Sequence, residues 1–361
     1  MNTEDDKPKL MPDIRVQKAL ISTTTKLIGE FHSDYFLISH ASPNMSDRDI
    51  QLRYNESPAS RSSLIVAFRT QGYDPVAGLV IPNYEHVGMI VSALMSVLYG
   101  KRFDSHGMVE CSGFFYTPNL NVYNSLNNHR LPFNSHNKRD EFSIDLNLKN
   151  FITIERIVLD SCINEKLRVA VYSASKFYQQ AICNAEEDPE TAYLHLITAG
   201  EIISGYDQSV VNDSLDEELV TIIGEIKDKL ENGLEKAEYI KSRVNVKRKF
   251  VNALCSLIND DFFTTQSNEA FSKFKKENFE NSIKAAYDLR SWYVHSGQSF
   301  GNWVKPSYDN GDIQNGSPIV PDKQFAKILK NAPRICGLER TIRYCILSLI
   351  SKHGFKIENM T

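Results

Sequence analysis

An arginine and a histidine separated by four residues, Arg290 and His295, stand near the end of the apolar-faced segment Ala285 to Gly297. Cleaving RNA through its own 2′-hydroxyl needs three things: a base to remove that proton, an acid to protonate the leaving 5′-oxygen, and a cation to hold the negative phosphorane-like transition state. A histidine, with a reference pKa of about 6.5, can serve as base or acid near neutrality. An arginine stays charged and grips phosphate oxygens in a planar fork. A single pair leaves such a site incomplete, so two copies facing each other across a dimer would complement one another. The scheme requires no metal and no cofactor.

Residues five apart on an ideal helix lie about 140° around the axis, so Arg290 and His295 flank one face instead of stacking. Ser291 stacks on His295 at the four-residue offset, and Gly297 is placed to end the helix in a left-handed conformation. The spacing alone should arise about once by chance in a chain of this length and ordinary composition. Arg130 and His136 satisfy it too, in an Asn- and Pro-rich stretch where no helix fixes their relation. The surroundings therefore carry the assignment, and the alternative is a helix-terminal cation pair that assists the C-terminal dipole.

The segment LRSWYVHSG, following an Ala-Ala-Tyr-Asp helix, resembles the arginine-x4-6-histidine motif of the HEPN superfamily, particularly its ApeA-like branch. The earlier helix YLHLITAGEIIS, Tyr193 to Ser204, with Glu201 set in an apolar face, is similar to that branch's opening core helices. The resemblance covers about half the chain. It implies an all-α bundle that commonly forms a homodimer, and a metal-independent endoribonuclease site built from the Arg and His of both copies. It also implies a toxin or anti-phage defence role. On that resemblance Arg290 and His295 are catalytic, and Ser291 takes the polar position that often follows the arginine. Some members bind RNA, a nucleotide or a protein partner without cutting, so a non-catalytic binding module is the alternative.

Other residues invite two readings each. Glu201 is either an acid paired with a cation of the motif helix or a plain structural salt bridge, since a buried acid needs a partner in both cases. Lys241, Arg243, Lys247, Arg248 and Lys249 lie along about two turns of helix, as RNA-phosphate contacts or as a solvated face. Lys273, Lys275 and Lys276 alternate with Phe271 and Phe274 and read as the cap of a core edge, with an extension of the basic patch as the alternative. Glu225 and Lys227 give the acid-x-lysine fragment of some metal nucleases, in a helix that reads as a solvated face. Arg334, Arg340 and Arg343 on the last helix read as an exposed stripe, with a cleft lining as the alternative. His32, His40 and His86 lack partners at metal-ligand spacing, and no glycine-rich phosphate loop or nucleophile elbow occurs, so no metal or cofactor is predicted.

The elements that must hold these residues follow from composition and periodicity. At 361 residues, 42% hydrophobic and 24% charged, the chain is long enough for about two domains of a globular α+β protein. A formal net charge of -4 supplies no global basic field, so RNA contact has to come from a local patch. The six cysteines form no C-x-x-C pair and read as reduced, buried thiols of a cytoplasmic protein. Met1 to Pro12 lacks the order of a signal peptide, and Val87 to Tyr99 is too short to span a bilayer and reads as a buried helix.

Residues 1–160 form the predicted mixed α and β domain, a candidate sensor for a phage or host trigger. A helix is predicted over Ile14 to Phe31, and strands over Tyr35 to Ser39, Ser63 to Phe68, Gly78 to Ile81, Met108 to Tyr116 and Phe151 to Leu159. Thr117 to Asp140 reads as an irregular exposed excursion. After a boundary near residues 160 to 166, residues 165–355 form the all-α domain. Its predicted helices are Leu167 to Glu186, Pro189 to Tyr206, Asp216 to Glu231, Ala237 to Ile258, Asn278 to His295, and Lys323 to His353 with a break near Pro333. Ser296 to Pro321 is a loop long enough to be functional or mobile.

Overall fold

A computed structural model describes residues 14–41, 61–71, 82–120, 131–139, 144–159, 164–206, 217–243, 246–264, 272–306, 310–355 and 357. The fold mixes α and β and divides into two compact units. The first comprises Met1–His129, Asn134–Lys138 and Ile144–Leu159, and the second Arg130–Phe133, Arg139–Ser143 and Asp160–Thr361.

The first unit is built on strands β1 (Ile14–Thr23), β2 (Phe31–His32), β3 (Phe36–His40), β4 (Ser62–Gln71), β5 (Phe103–Cys111) and β6 (Phe114–Phe115). They form one sheet in the order β2-β3-β4-β1-β5-β6, antiparallel throughout. Helix α1 (Glu85–Tyr99) packs on β1 and β5 and stops at Gly100, which takes the left-handed conformation. A 3₁₀ turn at Leu148–Phe151 leads into α2 (Ile152–Leu159).

Two predicted elements change type here. Ile14 to Phe31, expected as a helix, opens with β1, whose buried Gln17, Ala19, Ile21 and Thr23 alternate with period two. Pairing with β4 on one side and β5 on the other satisfies its backbone, and this overrides the looser helical spacing of Ile14, Leu20, Leu27 and Phe31. Phe151 to Leu159, expected as a strand, is mostly α2. Its β-branched residues favour a strand, yet burial of Phe151, Ile154, Glu155 and Ile157 follows helical spacing.

Met108 to Tyr116 is not one strand but a hairpin, in which Ser112 and Gly113 take positive φ (54° and 86°) between β5 and β6. That pair of conformations closes a two-residue loop. The predicted strand at Gly78 to Ile81 lies outside the described residues. The excursion Thr117 to Asp140 is not exposed throughout, because Leu131, Phe133, Asn134 and Arg139 are buried.

The second unit is helical: α3 (Glu165–Asn184), α4 (Pro189–Tyr206), α5 (Glu217–Lys229), α6 (Gly233–Arg243), α7 (Val246–Leu257), α8 (Lys276–Ser296), α9 (Lys323–Asn331) and α10 (Ile335–Lys352). Asp188 caps α4 by accepting from the Thr191 amide at 3.1 Å, and Pro189 opens the helix, where a missing N–H costs nothing. The single helix predicted over Ala237 to Ile258 is two, α6 and α7, and the predicted break near Pro333 separates α9 from α10.

Helix α10 is buried along nearly its whole length and packs against α3, α4 and α7. Arg334, Arg340 and Arg343 are therefore buried, not an exposed stripe. Arg340 donates to the Asp312 carboxylate at 3.1 and 2.7 Å and to the Phe262 carbonyl at 2.8 Å, and lies 3.9 Å from the Phe262 ring centroid. Its neighbour Glu339 receives both terminal nitrogens of Arg139, at 2.9 and 2.8 Å, and the Tyr178 hydroxyl. Charges leave water only with such partners, and α10 carries them into the core on these terms.

Asp312 belongs to the segment Ser296 to Pro321. It is fully buried, as are Phe300 and Val304, so the segment is packed against the bundle at these residues, while Asn315, Gly316, Ser317 and Ile319 are exposed. Gly337 of α10 lies against it so closely that a Cβ there would fall 2.4 Å from the Asp312 carbonyl oxygen.

Cys111, Cys336 and Cys345 are buried, Cys183 and Cys255 half-buried, and none of these five forms a disulfide; Cys162 lies outside the described residues. Burial pushes the Cys255 thiol up to about 11 and the Cys345 thiol well above the ordinary value, so these two sulfurs are poor nucleophiles. Among the described residues no helix is long and apolar enough to cross a membrane.

Candidate functional site

Helix α8 buries Phe279, Ile283, Ala286 and Leu289, spaced by three and four residues, against α4, α7 and α9. Gly297, at φ 66°, ends it, donating its amide to the Tyr293 carbonyl at 2.8 Å. Just beyond, the Glu190 carboxylate of α4 accepts from the Ser299 hydroxyl at 2.5 Å and the Phe300 amide at 2.7 Å. The Phe300 ring contacts Tyr193 and Tyr293 with centroids 5.4 and 5.1 Å away. The end of the helix that carries His295 is thus anchored by contacts the sequence reading did not include.

His295 is exposed in the last turn of α8, and Ser291 lies one turn before it. Both line a cleft of about 850 Å³ together with Lys247, Lys284, Asp288 and Lys327. Arg290 does not line this cleft. Its Nη2 lies 3.7 Å from Oε2 of Glu201 on α4, and its guanidinium is 5.9 Å from the Tyr287 ring centroid. At that distance the pair is Coulombic without being a hydrogen bond, and its partial exposure keeps it weak. Tyr287 also bonds Glu201, and burial together with that carboxylate pushes its hydroxyl above the ordinary value. The angular offset of five residues therefore becomes two neighbourhoods, one joining Arg290 to Glu201 and the other joining His295 to Ser291 and Lys247.

No family model, curated protein or solved structure matches this chain. Its chemistry has to be read from the cleft and the helix that borders it.

Within the cleft Lys247 pairs with Asp288 at 2.6 Å, and Lys284 pairs with Glu280 at 2.6 Å. Lys327, on α9, is exposed. The indole of Trp292 donates its N–H to Gln298 at 2.6 Å, and its ring is tilted against Phe325, centroids 5.6 Å apart. These groups offer cationic and hydrogen-bonding contacts beside one fixed aromatic ring.

Lys247 is the described member of the basic run that lines the cleft; Arg248 is exposed and Lys249 half-buried away from it. Lys241 and Arg243 fall in α6, with side chains outside the described residues. Glu225 pairs with Lys229 at 3.1 Å on an exposed face of α5, and Lys276 pairs with Asp260 at 2.6 Å on the surface. Among the described residues, no three or more His, Cys, Asp or Glu are grouped to hold a metal ion.

A serine-histidine contact occurs in the sheet unit, where Ser22 Oγ lies 2.7 Å from His106 Nε2. The His106 Nδ1 is 2.6 Å from the Asn119 carbonyl, so Nδ1 carries the proton and Nε2 accepts from the serine. The Arg61 Nε–H donates to the same Ser22 oxygen at 2.9 Å, and Ser22 is fully buried. No substrate can reach that oxygen, so the contact ties β1 to β5.

Lys284, Asp288, Trp292, Lys327 and Glu190 are site residues that the sequence reading missed. Asn281, Lys284, Asp288, Ser291 and His295 recur at three and four residues, a polar stripe opposite the apolar one, and that periodicity was the available signal. Lys327 and Glu190 come from other helices and left none.

Proposed function

We propose that the helical unit is a metal-independent endoribonuclease of the HEPN type, acting as a homodimer in a toxin or anti-phage defence role. The observation that carries it is His295, exposed in the last turn of α8 beside a lysine-edged cleft, with Arg290 five residues earlier on the same helix. In this reading His295 exchanges protons with the 2′-hydroxyl and the leaving 5′-oxygen, and an arginine holds the transition-state charge. The 2′-oxygen bonds to phosphorus as the 5′-oxygen leaves with a proton, giving a 2′,3′-cyclic phosphate and a 5′-hydroxyl. Arg290 and His295 of one chain face different neighbourhoods, which supports a site completed by Arg290 of a second copy. The sheet unit then serves as the sensor for a phage or host trigger.

The Glu201–Arg290 pair favours a second reading, a binding module for RNA, a nucleotide or a protein partner, because there the arginine already has an acidic partner within its own chain. Regulated expression in a bacterial host separates the two. Growth arrest by the wild-type chain that is relieved by both Arg290→Ala and His295→Ala supports the nuclease; arrest that survives both substitutions removes the pair from the mechanism.

A further inference from the structure

The cleft between α8 and α9 has features that the Arg/His pair does not explain. Its cations come from three helices, Lys247 from α7, Lys284 from α8 and Lys327 from α9, so positive charge enters the cleft from more than one wall. Asp288, paired with Lys247, interrupts them. Cations on several walls suit a chain of singly charged phosphodiesters, which can engage more than one of them. Trp292 adds a ring held on one side by Phe325 and at its edge by Gln298, so its position is set before any ligand arrives. A positive groove with a pre-positioned aromatic ring is the combination that holds single-stranded nucleic acid, because every base has a π-face.

We propose that this cleft binds the single-stranded RNA segment next to the cut, with one base stacked on Trp292 and adjacent phosphates on Lys327 and Lys284. The inference rests on the RNA-directed reading above, and it adds to that reading a binding surface that His295 borders but Arg290 does not. Lys247 and Lys284 are partly neutralised by Asp288 and Glu280, so Lys327 is the cation whose loss matters most.

The test uses the full chain and a 2′-O-methyl hexanucleotide of mixed sequence, which can bind but cannot be cut through its 2′-oxygen. The chain has two tryptophans, Trp292 and Trp303, so quenching on titration reports stacking directly. The expected result is saturable quenching that disappears in Trp292→Phe, where only Trp303 remains. Lys327→Ala should weaken binding about 5-fold at 0.1 M salt, following a slope of about -0.7 in log K per phosphate lost. Lys327 is an exposed residue whose replacement leaves the fold intact, so this variant stands even if Trp292→Phe loosens the contact with Phe325. Quenching unchanged in Trp292→Phe, or affinity unchanged in Lys327→Ala, overturns the proposal. Binding of a nucleoside monophosphate as tight as that of the hexanucleotide overturns it as well, in favour of a free-nucleotide pocket. Oligonucleotide binding with these properties but without cleavage of ordinary RNA upholds the cleft and removes the nuclease. Cleavage that depends on Arg290 and His295 but not on Lys327 does the reverse.

Discussion

Replacing Glu339 with leucine removes a carboxylate that is fully buried on α10 and receives Arg139 through two hydrogen bonds, at 2.9 and 2.8 Å, as well as the Tyr178 hydroxyl. The substitution takes the Glu339 carboxylate away from the buried Arg139 guanidinium, and breaking one side of such a pair costs about 3–5 kcal/mol. The helical unit has about 200 residues, a size at which 1 kcal/mol shifts the midpoint by about 2–4 °C. Thermal unfolding followed by tryptophan fluorescence should therefore drop by about 6–20 °C, since both tryptophans lie in that unit. Glu339→Gln keeps an acceptor and should cost less. Arg139→Met combined with Glu339→Leu should recover much of the loss, because two well-packed apolar groups can replace a buried pair at little cost. A Glu339→Leu chain within about 1 kcal/mol of wild type, or a double variant no better than the single, would refute the view that this pair ties Arg139 to the bundle.

Acid should weaken the protein in two stages. Burial is the leading cause that depresses both His106 and His195 below the ordinary histidine value. For such groups the unfolded chain binds the proton more readily, so stability is full above about pH 6.5 and declines as pH falls through the folded-state values. Burial opposes ionisation of Asp104, but Arg102 and Arg61 outweigh it and hold its carboxyl below the usual range, so its contribution is lost only below about pH 4. Urea midpoints measured from pH 8 to pH 4 should fall from about pH 6.5 downward, and a flat profile to pH 5 would contradict the histidine part. Gly337→Ala should destabilise by about 1–3 kcal/mol or more, since its Cβ would meet the Asp312 backbone, which cannot move aside as a side chain could. Gly224→Ala, with nothing within 4 Å, is the control and should match wild type or exceed it in urea denaturation.

Legibility in the sequence followed how local the determining interactions were. Helices α3, α4 and α8 could be read because their apolar spacing and their ends, Asp188-Pro189 at one start and Gly297 at one stop, are written within a few residues. Strand β1 could not be read, because its identity depends on β4 and β5, and β5 begins 80 residues beyond the end of β1. Arg340 read as part of an exposed stripe, and Glu339 drew no reading, because their partners, Asp312 and Arg139, sit in segments whose composition reads as loop. At the site, the placement of Arg290 and His295 around α8 follows from helix geometry. Their assignment to different neighbourhoods does not, since Glu201 and Lys327 come from other helices.

In the proposed function Arg290 and His295 together cut RNA without a metal. Its most direct test incubates a mixed RNA pool, with EDTA present, with wild-type protein, Arg290→Ala and His295→Ala, and analyses the new 3′ ends. The wild-type chain should give 2′,3′-cyclic phosphate ends, and both variants should leave the RNA intact at matched thermal stability. Intact RNA with the wild-type chain, or cleavage that persists in either variant or stops with EDTA, would contradict it.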